Sequence, residues 1–102
     1  MFEIYKAINK QLNEALDTAF AQEALAAKEA GESLDPQLMR ASKPEFGDFQ
    51  VNGALTLAKT IKQPPRHIAE TIIRQLEKSS RFNDLCYPPK LAGPGFINLT
   101  IK

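Results

Sequence analysis

Lys43-Pro44-Glu45-Phe46-Gly47-Asp48-Phe49-Gln50-Val51-Asn52 is the stretch on which the fold turns. It combines two aromatics, a glycine, an acid and two side-chain amides, and it joins a segment of strand character to one of helical character. Downstream, Val51, Ala54, Leu55, Ala58 and Ile61 fall on one stripe, which predicts a helix over 49–62. Asp48 stands where an N-cap would, with a carboxylate able to accept an orphan amide hydrogen, and Gly47 permits a sharp turn before it. On this reading Phe46 packs inside, and Phe49, Gln50 and Asn52 occupy the first helical turn facing outward. Lys59 and Lys62 lie in the last turns, where cations suit the helix dipole.

Upstream, Tyr5, Ile8, Leu12, Ala15, Leu16, Ala19 and Phe20 recur at three- and four-residue steps. With the alanine-rich run after them they predict one helix over 2–30, stopped by Gly31. Pro36 closes a loop, and Leu38, Arg40 and Ser42 alternate with their neighbours as a short strand that Pro44 ends. Beyond Gln63-Pro64-Pro65, a helix starts near Pro65 and buries Ile68, Ala69, Ile72, Ile73 and Leu76. Residues 81–90 read as a turn into a strand. After Gly93-Pro94-Gly95, Phe96, Asn98 and Thr100 alternate with Ile97, Leu99 and Ile101 as a half-buried strand, paired antiparallel with the segment around 86–92. The sum is one α+β domain over 1–102. It has two layers, a small, mainly antiparallel sheet with helices packed on one face, in the order helix-strand-helix-helix-strand-strand.

Composition narrows the function classes. The apolar runs are too short to span a membrane, and the N-terminus has no signal-peptide pattern. A single cysteine, Cys86, excludes an internal disulfide, and no zinc-ligand spacing occurs, so a cytoplasmic setting is expected. Net charge is +1 but uneven: residues 1–35 hold three lysines against seven acids (−4), and residues 36–102 ten Lys/Arg against five acids (+5). Such asymmetry fits either an acidic partner for the second part or two solvated helix faces. No nucleophile or acid/base pair emerges. His67 reads as a surface residue, Cys86 as packed beside the last strands, and Gly93-Pro94-Gly95 as a β-turn rather than a phosphate loop.

The remaining chemistry is that of nucleic-acid contact. An exposed Phe49 can stack on an unpaired base, while Asn52 and Gln50 each carry a donor and an acceptor for a base edge. Lys43, Lys59, Lys62 and Arg66 can meet phosphates. The same residues also fit plain packing, with Phe46 and Phe49 as core anchors and Asn52 bonded back to its loop.

Three pieces of sequence add a resemblance. Residues 43–59, KPEFGDFQVNGALTLAK, resemble the Gly-Asp-aromatic-x-x-Asn segment and Leu-Ala-Lys helix in the N-terminal additional domain of arginyl-tRNA synthetases. Pro65-Arg66-His67-Ile68-Ala69-Glu70-Thr71-Ile72 is similar to that family's Pro-x-x-Ile-Ala-x-x-Ile helix, and Ala92-Gly93-Pro94-Gly95-Phe96-Ile97-Asn98 to its Ala-Gly-Pro-Gly-Phe-Ile-Asn strand. The resemblance implies a two-layer domain that grips the outer corner of arginine tRNA. There the aromatic and the asparagine, carried over to Phe49 and Asn52 with Gln50 beside them, contact an exposed D-loop base. The turn and strand at 93–98 are then structural.

The catalytic signatures of the family, His-x-Gly-His and a Lys-Met-Ser-Lys-type loop, do not occur in these 102 residues. The expectation is therefore a non-catalytic, monomeric module, either excised or free-standing. It would hold no cofactor of its own, with ATP and magnesium belonging to the parent enzyme's catalytic domain acting in cis. The alternative is a structural or protein-interaction domain that docks through its long N-terminal helix.

Overall fold

The computed structural model describes residues 2–102. Two helices open the chain, α1 (Phe2–Ala19) and α2 (Ala21–Glu29), followed by β1 (Leu38–Arg40). A 3₁₀ turn (Pro44–Phe46) leads into β2 (Phe49–Val51). Then come α3 (Ala54–Ile61), α4 (Pro65–Glu77), α5 (Ser80–Leu85), β3 (Lys90–Ala92) and β4 (Phe96–Leu99). The four strands form one antiparallel sheet in the order β1-β2-β4-β3.

The predicted stripe of α1 is real: Ile8, Leu12, Ala15 and Leu16 are buried, and α1 packs on α4. The single helix expected over 2–30 breaks at Phe20, whose backbone leaves the helical region (φ −128, ψ 54) and whose ring joins the core. Helix α2 buries none of its side chains. It ends at Gly31, whose φ of +76 is the left-handed conformation expected of a C-terminal glycine. Helix α4 starts at Pro65 and buries Ile68, Ala69, Ile72 and Leu76.

The largest correction falls on the stretch quoted first. Phe49-Gln50-Val51 is a strand, and the helix begins only at Ala54 behind Gly53. Asp48 caps no helix; its carboxylate accepts the Ile101 N–H at 2.8 Å. The physical reason lies across the sheet. Phe49 and Val51 pair with Leu99 and Ile97 of β4 on one side and with Arg40 and Leu38 of β1 on the other. Four antiparallel partner residues outweigh one more turn of a short helix. Gly53 fixes where the helix can begin: a Cβ there would lie 2.4 Å from the Asp35 carbonyl oxygen, so only glycine allows the two backbones to close.

A second departure is α5, which replaces the expected turn over the first part of 81–90. Ser79 makes it. Its Oγ accepts the Phe82 N–H at 3.1 Å and donates to Gln11 Oε1 at 2.8 Å, tying the cap to α1. The final strand follows its sequence pattern: Ile97 and Leu99 are fully buried and Asn98 is not. Cys86 bridges to Ile101 and is buried beside it, as its sequence context suggested.

Alternation divides the sheet into two faces. Leu38, Phe49, Val51, Ile97 and Leu99 form the helix-facing side of the core. The intervening residues Met39, Gln50, Asn98 and Lys90, in mutual register across β1, β2, β4 and β3, form a row on the other side.

Candidate nucleic-acid interface

That outer row gathers side chains from segments far apart in sequence. Gln50 Nε2 donates to Asn98 Oδ1 at 3.0 Å across the β2–β4 pair. The bond spends one amide group of each residue and leaves the Gln50 carbonyl and the Asn98 amino group for another partner. Were both amides rotated by half a turn, the pair would still offer one donor group and one acceptor. Met39 stands at one end of the row, 52% exposed, and Lys90 at the other. Asn52, two residues after Gln50, continues the same face: its Nδ2 lies 3.3 Å from the Met39 sulfur. Its Oδ1 is shielded from solvent and has no hydrogen-bond partner.

The aromatics exchange the roles assigned to them by the helical reading. Phe49 is 1% exposed and meets Tyr5 edge-on at 5.9 Å, so it is a core anchor and presents no ring on the outer face. Phe46, expected inside, sits in the 3₁₀ turn, partly exposed and outside the buried cluster. Gly47 turns the chain between them with φ +89. A Cβ there would come within 2.6 Å of the Leu99 carbonyl oxygen, so this turn is built for glycine. Of the two aromatics of this segment, Phe46 is the one with part of its surface exposed.

The cations are dispersed. Lys43 is exposed at the start of the 3₁₀ turn, beside Phe46. Lys59 is exposed in the last turn of α3, roughly 8 Å along the helix from its start at Ala54 at 1.5 Å per residue. Arg66 is exposed at the start of α4 and donates to the Gly93 carbonyl at 2.7 Å, binding that helix to the β3–β4 turn. The structure thus brings Gln50 and Asn52 onto one face with Lys43 near its Phe46 end, and it sets Lys59 and Arg66 apart. It adds Asn98, Phe46 and Lys90. Asn98 was legible as the outward residue of its strand, but its partner was hidden while residue 50 was read as helical.

Of the long N-terminal helix considered above as a docking surface, the apolar stripe of the first part is consumed by the chain's own core. Only Leu25 of α2, 59% exposed, remains as a large apolar side chain on the second helix. No helix among the described residues is long and apolar enough to cross a membrane. The Cys86 thiol is pushed from 9.0 up to about 11, chiefly by burial and further by the Asp48 carboxylate, against an opposing pull from Lys102. It is a packing group rather than a nucleophile.

The family model described as "Arginyl tRNA synthetase N terminal domain" matches residues 4–101. An arginine–tRNA ligase of Prochlorococcus marinus strain MIT 9211 is 60% identical over 102 residues, covering 100% of this chain and 17% of that protein. The corresponding ligase of Synechococcus strain WH7803 is 56% identical, again over 100% of this chain and 17% of the relative. Among solved structures, arginyl-tRNA synthetase from Plasmodium falciparum superposes with a TM-score of 0.72 at 20% identity, over 97% of this chain and 16% of that one. The synthetase of Thermus thermophilus gives 0.60 at 23% identity, over 95% and 14%. At such identities the structural likeness is one of fold, and the chain spans about a sixth of the length of the relatives it matches. By the match over nearly its whole length, the chain belongs to the family of arginyl-tRNA synthetase N-terminal domains.

Proposed function

We propose that this domain binds arginine tRNA at its D-loop corner and orients it for aminoacylation by a catalytic domain of the same parent enzyme, in the cytoplasm. The observation that carries the reading is the outer sheet face, where the half-buried Gln50–Asn98 pair lies on the side away from the core, with the partly exposed Phe46 in the turn that leads into β2. A splayed loop base has a flat surface and an edge of donors and acceptors. Phe46 supplies the stack, and the paired amides with the Asn52 amino group supply the edge contacts. Lys43 and Lys90 flank the face and meet phosphates, with Lys59 and Arg66 as more distant electrostatic contributors. Phe49 supports the site from beneath, by fixing β2. Adenylate chemistry, with its ATP and magnesium, is assigned to the catalytic domain and to no residue of this chain.

The test is a titration of the chain with arginine tRNA, read by NMR shifts at increasing salt. The proposal expects perturbation at Phe46, Gln50, Asn52 and Asn98 that weakens as salt rises. Perturbation confined to α1 and α2 would replace it with the docking reading, for which exposed Leu25 is the supporting feature.

A further inference from the structure

A second exposed feature lies on the opposite side of the sheet, at the free edge of β1. Arg40 is in register with Phe49, so its side chain leaves the strand on the helix-facing side. Arg40 stays exposed beside the first turn of α1. There Phe2 and Tyr5 of that helix, with Arg40 and Phe49, line an open cavity of about 290 Å³.

The walls are unusual for a surface dent. Phe49 closes the floor. Tyr5 stands edge-on to it at an interplanar angle of 63° and is held there by its hydroxyl, which donates to the Leu38 carbonyl at 2.9 Å. Phe2 is 67% exposed, the most exposed of the large apolar side chains described. The Lys6 ammonium lies 4.7 Å from the centre of its ring. None of the lining residues is acidic. The exposed Phe2 and the half-buried Tyr5 beside the Arg40 guanidinium, with the Lys6 ammonium over the Phe2 ring, ask for a ligand that is flat on one part and anionic on another. A purely apolar occupant would strip water from Arg40 and return nothing, whereas a guanidinium can stack on a base and grip a phosphate with its fork of donors.

We propose that this cavity is a second nucleotide pocket, taking one nucleotide of single-stranded RNA with its base against Phe2 and Tyr5 and its phosphate on Arg40 and Lys6. The inference rests on reading the domain as RNA-binding and adds a contact on the other side of the sheet. Continuity supports it. The connection carrying Phe46 runs from β1 to β2 at the Arg40–Phe49 end of that pair, where the cavity lies. A loop strand crossing Phe46 can therefore turn around the exposed edge of β1 and place a neighbouring nucleotide in the cavity.

The experiment is an NMR titration of the 102-residue chain with a short oligouridylate and with arginine tRNA, repeated with Arg40→Gln, Arg40→Lys and Phe2→Ala. Both positions are exposed, so the variants are expected to fold, and circular dichroism checks this. The expected result is saturable, salt-weakened shifts at Phe2, Tyr5 and Arg40. Arg40→Gln and Phe2→Ala should weaken that binding about tenfold, the order expected for losing one base stack or phosphate contact, with partial rescue by Arg40→Lys. Absence of shifts in the cavity overturns the pocket, whatever the outer face does, and so do shifts that both variants leave unchanged. A cavity that responds while Phe46, Gln50 and Asn98 stay silent supports the pocket and overturns the outer-face reading instead.

Discussion

Phe49→Ala and Phe46→Ala separate the two accounts of the segment that joins β1 to α3. In the structure the Phe49 ring is 1% exposed and packs edge-on to Tyr5, so truncation removes core surface and leaves a cavity. Buried Phe→Ala changes cost about 3–5 kcal/mol, against a total stability of about 5–15 kcal/mol for a domain of this kind. At roughly 4–8 °C per kcal/mol for a domain near this size, Phe49→Ala should lower the melting temperature by about 12 °C or more. Phe46 lies outside the buried cluster, so its truncation should cost less than about 1 kcal/mol. Urea and thermal melts followed by circular dichroism measure both. Phe49→Leu, which keeps most of the volume, should stay folded at a cost of about 1 kcal/mol and retain tRNA binding. Phe46→Ala should stay folded and lose about tenfold in affinity. A cost below about 1 kcal/mol for Phe49→Ala, or equal costs at the two positions, would refute the buried-strand reading and restore the helix beginning at residue 49.

Three further outcomes follow from the geometry. Gly53→Ala should destabilise by about 2 kcal/mol or more in urea melts, because its Cβ would meet the Asp35 carbonyl oxygen at 2.4 Å; a neutral change would show that the loop shifts freely. Asp48→Ala should cost about 1 kcal/mol by removing the acceptor of the Ile101 N–H at 2.8 Å, and hydrogen exchange at Ile101 should quicken. Cys86 predicts a pH effect: its thiol ionises near 9.0 when unfolded and near 11 when folded. Below pH 9 both states hold the proton and the thiol contributes a constant amount. As pH rises from 9 to 11 the unfolded state releases its proton first, so stability falls, by at most about 3 kcal/mol, and then levels off. Comparison with Cys86→Val across that window isolates the thiol; a constant difference between the two proteins would contradict the assignment.

How far the sequence discloses this fold depends on how local each cause is. Pro65 opens α4 and Gly31 closes α2 through their own backbone preferences, so both boundaries were legible. The alternation of Ile97 and Leu99 with Asn98 persists long enough to identify β4 and the face Asn98 occupies. Phe49-Gln50-Val51 is too short to declare its period. Val51 belongs equally to an alternating strand and to the helical stripe that continues through Ala54 and Ala58. What decides it is β4, nearly fifty residues away, together with the Gly53–Asp35 approach. Helix α5 was hidden for a different reason: its single turn and a half depends on one serine cap, and the Pro88-Pro89 pair just beyond it drew the segment toward a turn.

The error at residues 49–51 carried straight into the site. A helical first turn would put Phe49, Gln50 and Asn52 within one arc of a cylinder, all solvent-facing. A strand sends Phe49 to the core and Gln50 to the opposite side, next to whatever β4 presents there. Since Asn98 is that neighbour, its amide is coupled to Gln50 rather than standing as a strand residue with no further role. One change of period thus removes an aromatic from the candidate interface and brings in an amide from the other end of the chain. It also moves the proposed stacking role to Phe46, which precedes β2 and is bound neither by its alternation nor by the buried cluster. The stretch 43–52 therefore works as a divider: its strand half holds the sheet together, and its turn half, with Gly47 forcing the bend, is the part proposed to meet a partner.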